Sequence, residues 1–192
     1  MLRTNHSFLS FTEELYNNPA HKEAISLKHY AKGDLLLKQD GRSTQVFIVK
    51  EGIAKCFFTE ENAKEYIVEF LSEGEIIGEI EVIKNNNCLC SVEAITPLAA
   101  YTIKYPFFKH LMETNLCLNR LLLEEMAQRI IYTSTRASTQ QLYTIEFGLK
   151  KILELQARQG LTLSKDDLAA YMGVTIRSLN RALKNINTEC PE

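Results

Sequence analysis

The sequence predicts an α+β fold: an antiparallel β sandwich or barrel, then a long helix, then a C-terminal all-α domain. Short apolar runs separated by glycine turns fill residues 30–105, which is typical of many short strands in a sandwich or barrel. Residues 107–137 contain neither glycine nor proline, and helical patterns occupy the remainder. We expect three units: a β-roll domain over 1–106, a helix over 107–137 and a helical domain over 138–192.

Composition narrows the class of protein. The 192 residues carry a formal net charge of −2, which excludes a uniformly basic nucleic-acid coat but allows a locally basic element. Five cysteines, an odd number, suit a reducing compartment better than a disulfide framework. The N-terminal stretch lacks the apolar segment of a signal peptide, and no apolar run is long enough to span a bilayer. We therefore expect a cytoplasmic protein without a membrane partner.

The helix predicted over 107–137 has two apolar stripes. One stripe follows steps of four and three through Leu118, Leu122, Met126, Ile130, Thr133 and Ala137. A second stripe beside it contains Leu111, Leu123, Ala127 and Ile131. One stripe can pack on the β domain while the other needs a further partner, so we expect a homodimer through this helix. A single buried core helix is the alternative.

Two more helical patterns flank these units. Residues 1–28 have helical spacing around Phe8 and Phe11, and we expect them to cap the β domain. Residues 140–160 predict an amphipathic helix that ends at Gly160, because glycine is a favourable C-cap.

The segment SKDDLAAYMGVTIRSLNRALKNI has the spacing of a helix-turn-helix. Ser164 is a favourable N-cap for a first helix, and Gly173 permits the left-handed turn that ends it. Thr175 can cap the second helix, whose inner face is formed by Leu179 and the small Ala182. These features predict two crossing helices with the second one presenting a polar face.

The outward face of this second helix is positive, with no acidic residue between Gly173 and Asn187. Arginine can pair with guanine through two hydrogen bonds, asparagine can pair with adenine, and lysine can neutralise phosphate. The candidate DNA-binding residues are Thr175, Arg177, Ser178, Asn180, Arg181 and Lys184. A helical hairpin with a merely solvated face is the alternative, although such a face usually mixes charges of both signs.

The order and spacing of these pieces resemble the Crp/Fnr family of bacterial transcription regulators over about 30–186. The matching segments are Gly33-Asp34, Phe47-Ile48-Val49 leading into Gly52, then Gly74, Gly78-Glu79, MAQRIIYTSTRAS and GVTIRSLNRALKNI. The resemblance implies a cyclic-nucleotide-binding-like jelly-roll sensor, a dimerisation helix and a DNA-reading domain. The expected partners are then a near-palindromic DNA operator and a second copy of the chain, with RNA polymerase added if the protein activates transcription.

The resemblance also implies a ligand cassette. In cAMP-responsive members the position of Glu79 contacts the ribose, and an arginine and a serine at the positions of Cys88 and Leu89 hold the cyclic phosphate. Two further contacts, to the adenine, match Thr133 and Ser134. With the backbone amides that start at Gly78, the candidate ligand-binding residues are Gly78, Glu79, Ile80, Cys88, Leu89, Thr133 and Ser134.

The charge of the cassette argues against cAMP. The stretch EGEIIGEIEVIKNNNCLCSVEA contains five glutamates, one lysine and no arginine. A phosphate diester buried there would lose water and gain no fixed cation, so cAMP is not the expected effector. A neutral or cationic effector, or a cassette that only packs, remains open. No other cofactor is expected.

Cys88 and Cys90 suggest a second possibility. They are two residues apart, so on a strand both would face the same side. With a third thiolate they could bind a soft metal or act as a thiol switch. The alternative, which we favour, is that they are small buried apolar residues and that the protein has no metal site.

Other functions are weaker candidates. The family usually follows the recognition helix with a β-hairpin wing, whereas only NTECPE follows Ile186 here, so a different operator or weaker DNA binding is expected. A ligand-binding or protein-interaction module with degenerate DNA binding is the alternative function. Catalysis is not expected, because the four histidines lie outside the predicted strands and no glycine-rich nucleotide loop follows a strand.

Overall fold

The computed structural model describes residues 2–189, with side chains as far as Ile186. The strands are β1 (Leu2–Arg3), β2 (Ile25–Tyr30), β3 (Leu35–Leu37), β4 (Gln45–Glu51), β5 (Ala54–Thr59), β6 (Glu65–Leu71), β7 (Ile76–Ile77), β8 (Ser91–Ala94) and β9 (Leu98–Lys104). The helices are α1 (His6–Asn17), α2 (Glu79–Lys84), α3 (Tyr105–Thr114), α4 (Leu116–Leu142), α5 (Ile145–Gln159), α6 (Lys165–Met172) and α7 (Ile176–Glu189). A 3-10 turn spans Pro19–His21. The mixed α+β class predicted from the sequence is confirmed.

Two facing sheets form the β domain. Their strand orders are β1–β6–β5–β8–β3 and β2–β9–β4–β7, and adjacent strands run antiparallel except β1 and β6. Alternate side chains of each strand point between the sheets, because successive residues of a strand face opposite sides. Phe47, Leu71, Val92 and Leu98 belong to the buried core that results.

Helix α1 covers the second sheet and is part of its core. Phe8 is fully buried and lies in one cluster with Ile48 and Phe108. The chain enters this helix past Gly74, where an added Cβ would lie 1.8 Å from the carbonyl oxygen of Asn5. Only glycine fits there, and the close approach fixes the N-terminal segment against the sheet.

The sequence pattern does not predict strand β2. The helix predicted within 1–28 ends at Asn17, and the chain already forms β2 from Ile25. His29 lies in that strand, so the expectation that every histidine lies outside the strands is wrong for this residue. Its side chain is exposed, away from the space between the sheets.

The single helix predicted over 107–137 is also wrong in its bounds. It is two helices, because Asn115 ends α3 and begins α4. The Asn115 side chain accepts a hydrogen bond from the backbone N–H of Leu118 at 3.0 Å and so satisfies one of the donors that a helix start leaves unpaired. The helix that follows extends beyond the predicted end at 137 and ends at Leu142, so α5 begins only at Ile145.

The C-terminal helices pack on the outer face of the first sheet. Phe57, Ile67 and Phe70 from the sheet share a buried cluster with Leu168 and Leu179 from the helices. The β domain and the helix-turn-helix are thus joined through apolar side chains as well as through α4.

No helix within residues 2–189 is long and apolar enough to cross a membrane.

Candidate functional site

Local capping builds the helix-turn-helix as the sequence predicts. The Ser164 side chain accepts a hydrogen bond from the N–H of Asp167 at 3.0 Å and starts α6. Gly173 ends that helix with φ +68°, a conformation that glycine adopts without steric cost. Thr175 Oγ1 then accepts a hydrogen bond from the N–H of Ser178 at 3.1 Å and starts α7. The turn between the two helices is therefore held at both ends.

Helix α7 has one buried and one exposed face. Leu179 and Ala182 are almost fully buried against the other helices. The candidate DNA-binding residues lie on the other side, where Thr175, Arg177, Asn180, Arg181 and Lys184 are exposed and Ser178 is half-buried. The structure thus brings the whole predicted set onto one accessible surface. The segment NTECPE continues α7 to Glu189, and its last three residues lie outside the described part of the chain.

Glu146 on α5 is a neighbour of this surface that sequence reasoning missed. Its carboxylate accepts a hydrogen bond from Asn185 at 3.1 Å. A hydrogen bond from its own backbone N–H, this Asn185 contact and the charge of Arg181 lower the pKa of Glu146. The fold therefore places a carboxylate at the edge of the positive face.

The predicted cassette is held by α2 and by an arginine from α4. Gly78 precedes α2 with φ +92°, and an added Cβ would lie 3.2 Å from the carbonyl oxygen of Gln45. Glu79 follows and is 3% exposed. Its carboxylate forms an ion pair with Arg129, and burial raises the pKa of Glu79 against the opposing effect of that arginine. Arg129 also donates to the carbonyl oxygen of Ile76 at 2.7 Å.

Behind this pair lies a network of buried charges. Arg129 lies 3.0 Å from Glu125 and 3.5 Å from Glu75, and Arg3 lies 3.0 Å from Glu69 and forms a further ion pair with Glu125. Burial, together with the charge of Glu125, raises the pKa of Glu75 to about 7. Burial opposes the charge of Arg129, but the surrounding carboxylates raise its pKa overall. The network joins the N-terminal strand, the cassette and α4.

The predicted phosphate positions contain an internal carboxylate. Glu81 is 5% exposed, and its Oε1 accepts a hydrogen bond from the backbone N–H of Leu89 at 3.0 Å. The N–H of Cys88 is bonded to the carbonyl oxygen of Gly41 at 2.8 Å. The Leu89 side chain is 49% exposed and offers no polar group. The backbone N–H of Leu89, which could otherwise donate to a bound anion, therefore already donates to the carboxylate of Glu81.

Thr133 and Ser134 lie apart from the rest of the predicted ligand set. Both are exposed on α4. Thr133 lines a cavity of about 440 Å³ between α4, α5, α6 and the β1–β6 edge, and Ser134 lines a shallower depression beside it. No residue from 78 to 89 lines either cavity. The structure therefore divides the predicted ligand site into a closed cassette half and an open helix half.

The cysteine geometry differs from the prediction. Cys88 and Cys90 lie in the loop before β8, so they do not share one face of a strand. Cys88 is buried in the core, whereas the Sγ of Cys90 lies 2.6 Å from the Sγ of Cys56 on β5. That contact and burial raise the pKa of Cys56, which disfavours the thiolate that metal binding needs. Among residues 2–189 no group of three potential ligands is placed to hold a metal ion.

Comparison with known proteins agrees with this architecture. Residues 27–115 match the cyclic nucleotide-binding domain family. The cAMP-activated global transcriptional regulator CRP of Salmonella typhimurium is 22% identical over 173 residues, which cover 84% of this chain and 82% of CRP.

Two solved structures are similar in fold. The c-di-GMP responsive global regulator CLP of Xanthomonas campestris superposes with a TM-score of 0.78 at 16% identity, covering 94% of this chain and 92% of that one. A Crp/Fnr-family transcriptional regulator from Thermus thermophilus superposes with a TM-score of 0.73 at 15% identity, covering 85% and 87%.

A double-sheet sensor domain, a long connecting helix and a helix-turn-helix define the class of one-chain regulators that join a ligand-binding fold to a DNA-binding fold. The chain is similar over most of its length to the transcription regulator CRP, and its fold is that of Crp/Fnr-family regulators.

Proposed function

We propose that the protein is a homodimeric, sequence-specific DNA-binding regulator of transcription that does not respond to cAMP. The observation that carries the proposal is the exposed polar face of α7. The opposite face of this helix packs against the domain through the buried residues Leu179 and Ala182. A regulator of this kind acts in the cytoplasm, where bacterial DNA lies, and an activator would also contact RNA polymerase.

Each residue of the face has a chemical role in the proposal. Arg177 and Arg181 can each donate two hydrogen bonds to guanine, and Asn180 can pair with adenine in the major groove. Thr175 and Ser178 lie at the start of α7, and their hydroxyls can donate to a phosphate of the DNA backbone. Lys184 supplies charge near the backbone.

The exposed side of α4 supports a dimer. Leu123 is 69% exposed, Ile130 is 67% exposed and Ile131 is 58% exposed. Exposure of this apolar surface to water is unfavourable, and packing against a second copy would remove it. Two α7 helices held by paired α4 helices would read half-sites about 34 Å apart, one turn of DNA.

The cassette supports an effector other than cAMP, or none. Glu81 already accepts a hydrogen bond from the backbone N–H of Leu89. A second anion beside this N–H would lie next to the buried carboxylate of Glu81. Charge repulsion and desolvation both oppose such binding.

The test is selection from random duplex DNA by the purified protein at low salt, followed by titration of the selected sequence against salt. We expect a near-palindrome whose affinity falls steeply with salt, unchanged by cAMP at millimolar concentration. The Arg177→Ala variant should bind the selected site more weakly and tolerate more bases at one position of each half-site. Absence of any enriched sequence would favour the alternative, a ligand-binding or protein-interaction module with degenerate DNA binding.

A further inference from the structure

We propose that the cavity between α4 and α5 binds a small organic carboxylate with an apolar tail, and that this ligand is the effector of the regulator. The effector role rests on the proposed DNA-binding function, whereas the binding itself does not. The site is separate from the closed cassette, because no residue from 78 to 89 lines it.

The cavity has the size and the mixed lining of a small-molecule site. Its volume is about 440 Å³, within the common range for ligand pockets. The apolar part is formed by Val68 of β6, Ile152 of α5 and Met172 of α6. Gln140 and Gln159 also line the cavity, with amides that hydrogen-bond to the backbone of Tyr171 and of Leu2. A ligand with one apolar end and one polar end fits this division.

The charge of the lining selects an anion. Arg3 and Glu69 both line the cavity and neutralise each other in an ion pair of 3.0 Å. Arg136 and Lys151 also line it, and neither forms an ion pair with a carboxylate within residues 2–189. The Nε of Arg136 is buried and has no hydrogen-bond partner in that part of the chain. Within the described residues two positive charges of the cavity therefore remain uncompensated, and a carboxylate would compensate one of them.

A glycine keeps the cavity open on its α5 side. Gly148 lies in the first turn of this helix, where glycine is less favourable than alanine. An added Cβ would lie 3.7 Å from the Cε of Met172, an ordinary contact. Packing therefore does not exclude a side chain at this position, and its absence leaves the volume free for a ligand.

The position of Arg136 connects the cavity to DNA binding. Its guanidinium donates to the carbonyl oxygens of Ile67 and Val68 on β6 and of Tyr171 on α6. It also lies 4.0 Å from the ring centroid of Tyr171. A carboxylate that binds this guanidinium acts on the group that joins the β domain to the helix-turn-helix, and differential binding to two docked arrangements would shift their populations.

The experiment is calorimetric titration of the full chain with decanoate and, separately, with decan-1-ol, which has the same chain without the charge. We expect decanoate to bind at least tenfold more tightly than decan-1-ol. Lys151→Gln should weaken decanoate about tenfold and leave decan-1-ol unchanged, while the neighbouring Lys150→Gln, outside the lining, should change neither. Gly148→Leu should abolish both, and Gly148→Ala should reduce both less.

Failure can be assigned to one proposal or the other. The site is refuted if decanoate binds no better than decan-1-ol, or if Lys151→Gln binds decanoate as wild type does. The effector role is refuted if saturating decanoate leaves the affinity for the selected DNA unchanged. If the wild-type protein binds no DNA but binds decanoate as expected, the proposed function is refuted and the carboxylate site is supported.

Discussion

Lys55 on β5 lies across the domain junction from Asp167 on α6, with its Nζ 3.2 Å from Oδ1. The carboxylate is held in place by a second hydrogen bond, from the Ser164 hydroxyl at 2.7 Å. Burial opposes the charge of Lys55, but Asp167, Glu65 and Glu93 together raise its pKa. This ion pair lies beside the apolar cluster that joins the sheet to the helix-turn-helix, so it is part of the contact between the two domains.

The first prediction concerns the strength of this contact. Asp167→Asn should lower the free energy of unfolding by about 1 kcal/mol, because the pair is partly shielded from water while Lys55 keeps two weaker carboxylate neighbours. Denaturant unfolding of both single variants and the double variant with Lys55→Met gives the coupling energy.

Asp166→Asn is the matched control, since Asp166 lies in the same helical turn and is exposed. It should reproduce only the small loss of helix-dipole stabilisation. Additive effects of Asp167→Asn and Lys55→Met would show that the two side chains do not interact in solution.

A second prediction follows from the raised pKa of Glu75. A carboxyl group whose folded pKa of about 7 exceeds its ordinary 4.5 binds more protons in the folded state between those pH values. Its contribution to stability is therefore full below pH 4.5 and is lost as the pH rises to about 7, by as much as roughly 3 kcal/mol. Glu75→Gln removes this dependence, so the variant should gain stability relative to wild type as the pH rises from 4.5 to 7.

Denaturant midpoints of wild type and Glu75→Gln across this pH range provide the measurement. Glu124→Gln serves as the control, because Glu124 is an exposed carboxylate on α4. Parallel pH curves for wild type and Glu75→Gln would contradict the assignment of the buried proton to Glu75.

A third prediction concerns Arg129, the cation shared by Glu79, Glu75 and Glu125. Arg129→Met should destabilise the protein by about 3–5 kcal/mol at pH 8, because it leaves buried carboxylates without their partner. The loss should be smaller at pH 5, where part of the network can be protonated. The exposed Arg120→Met on the same helix should cost little. Equal losses at both pH values would show that packing, not charge, is the function of Arg129.

How much the sequence predicts depends on whether the signal is local. The sequence predicts the helix-turn-helix residue by residue, because Ser164, Gly173 and Thr175 act through hydrogen bonds to residues three or four positions away. The break at Asn115 is equally local, yet it was missed. An asparagine within an apolar pattern is compatible with a continuous helix, and its capping hydrogen bond to the N–H of Leu118 is what shows otherwise.

The candidate ligand site depends on long-range contacts that the sequence does not predict. The cassette stretch contains no arginine, so the sequence predicts no fixed cation for a phosphate there. Arg129 nevertheless reaches Glu79 from a helix 50 positions further along the chain. The bond from the N–H of Leu89 to Glu81 depends on the loop between them. The pairing of Cys56 with Cys90 depends on which strand lies beside that loop. Long-range contacts of this kind have no periodic signature in the sequence.

The last prediction tests the dimer through α4. Leu123 and Ile130 are seven residues apart, so they lie on one face of the helix, and both are largely exposed. Ile130→Glu places two like charges in the proposed interface, and we expect it to convert a dimer into a monomer at micromolar concentration in sedimentation equilibrium. Affinity for the selected palindrome should fall at least a hundredfold, because the two half-sites are no longer bound together. Ser10→Glu, at an exposed position of α1, introduces the same charge outside α4; it is the control and should leave both measurements unchanged. A wild-type protein that sediments as a monomer, or an Ile130→Glu variant that remains dimeric, would place the dimer interface elsewhere or exclude it.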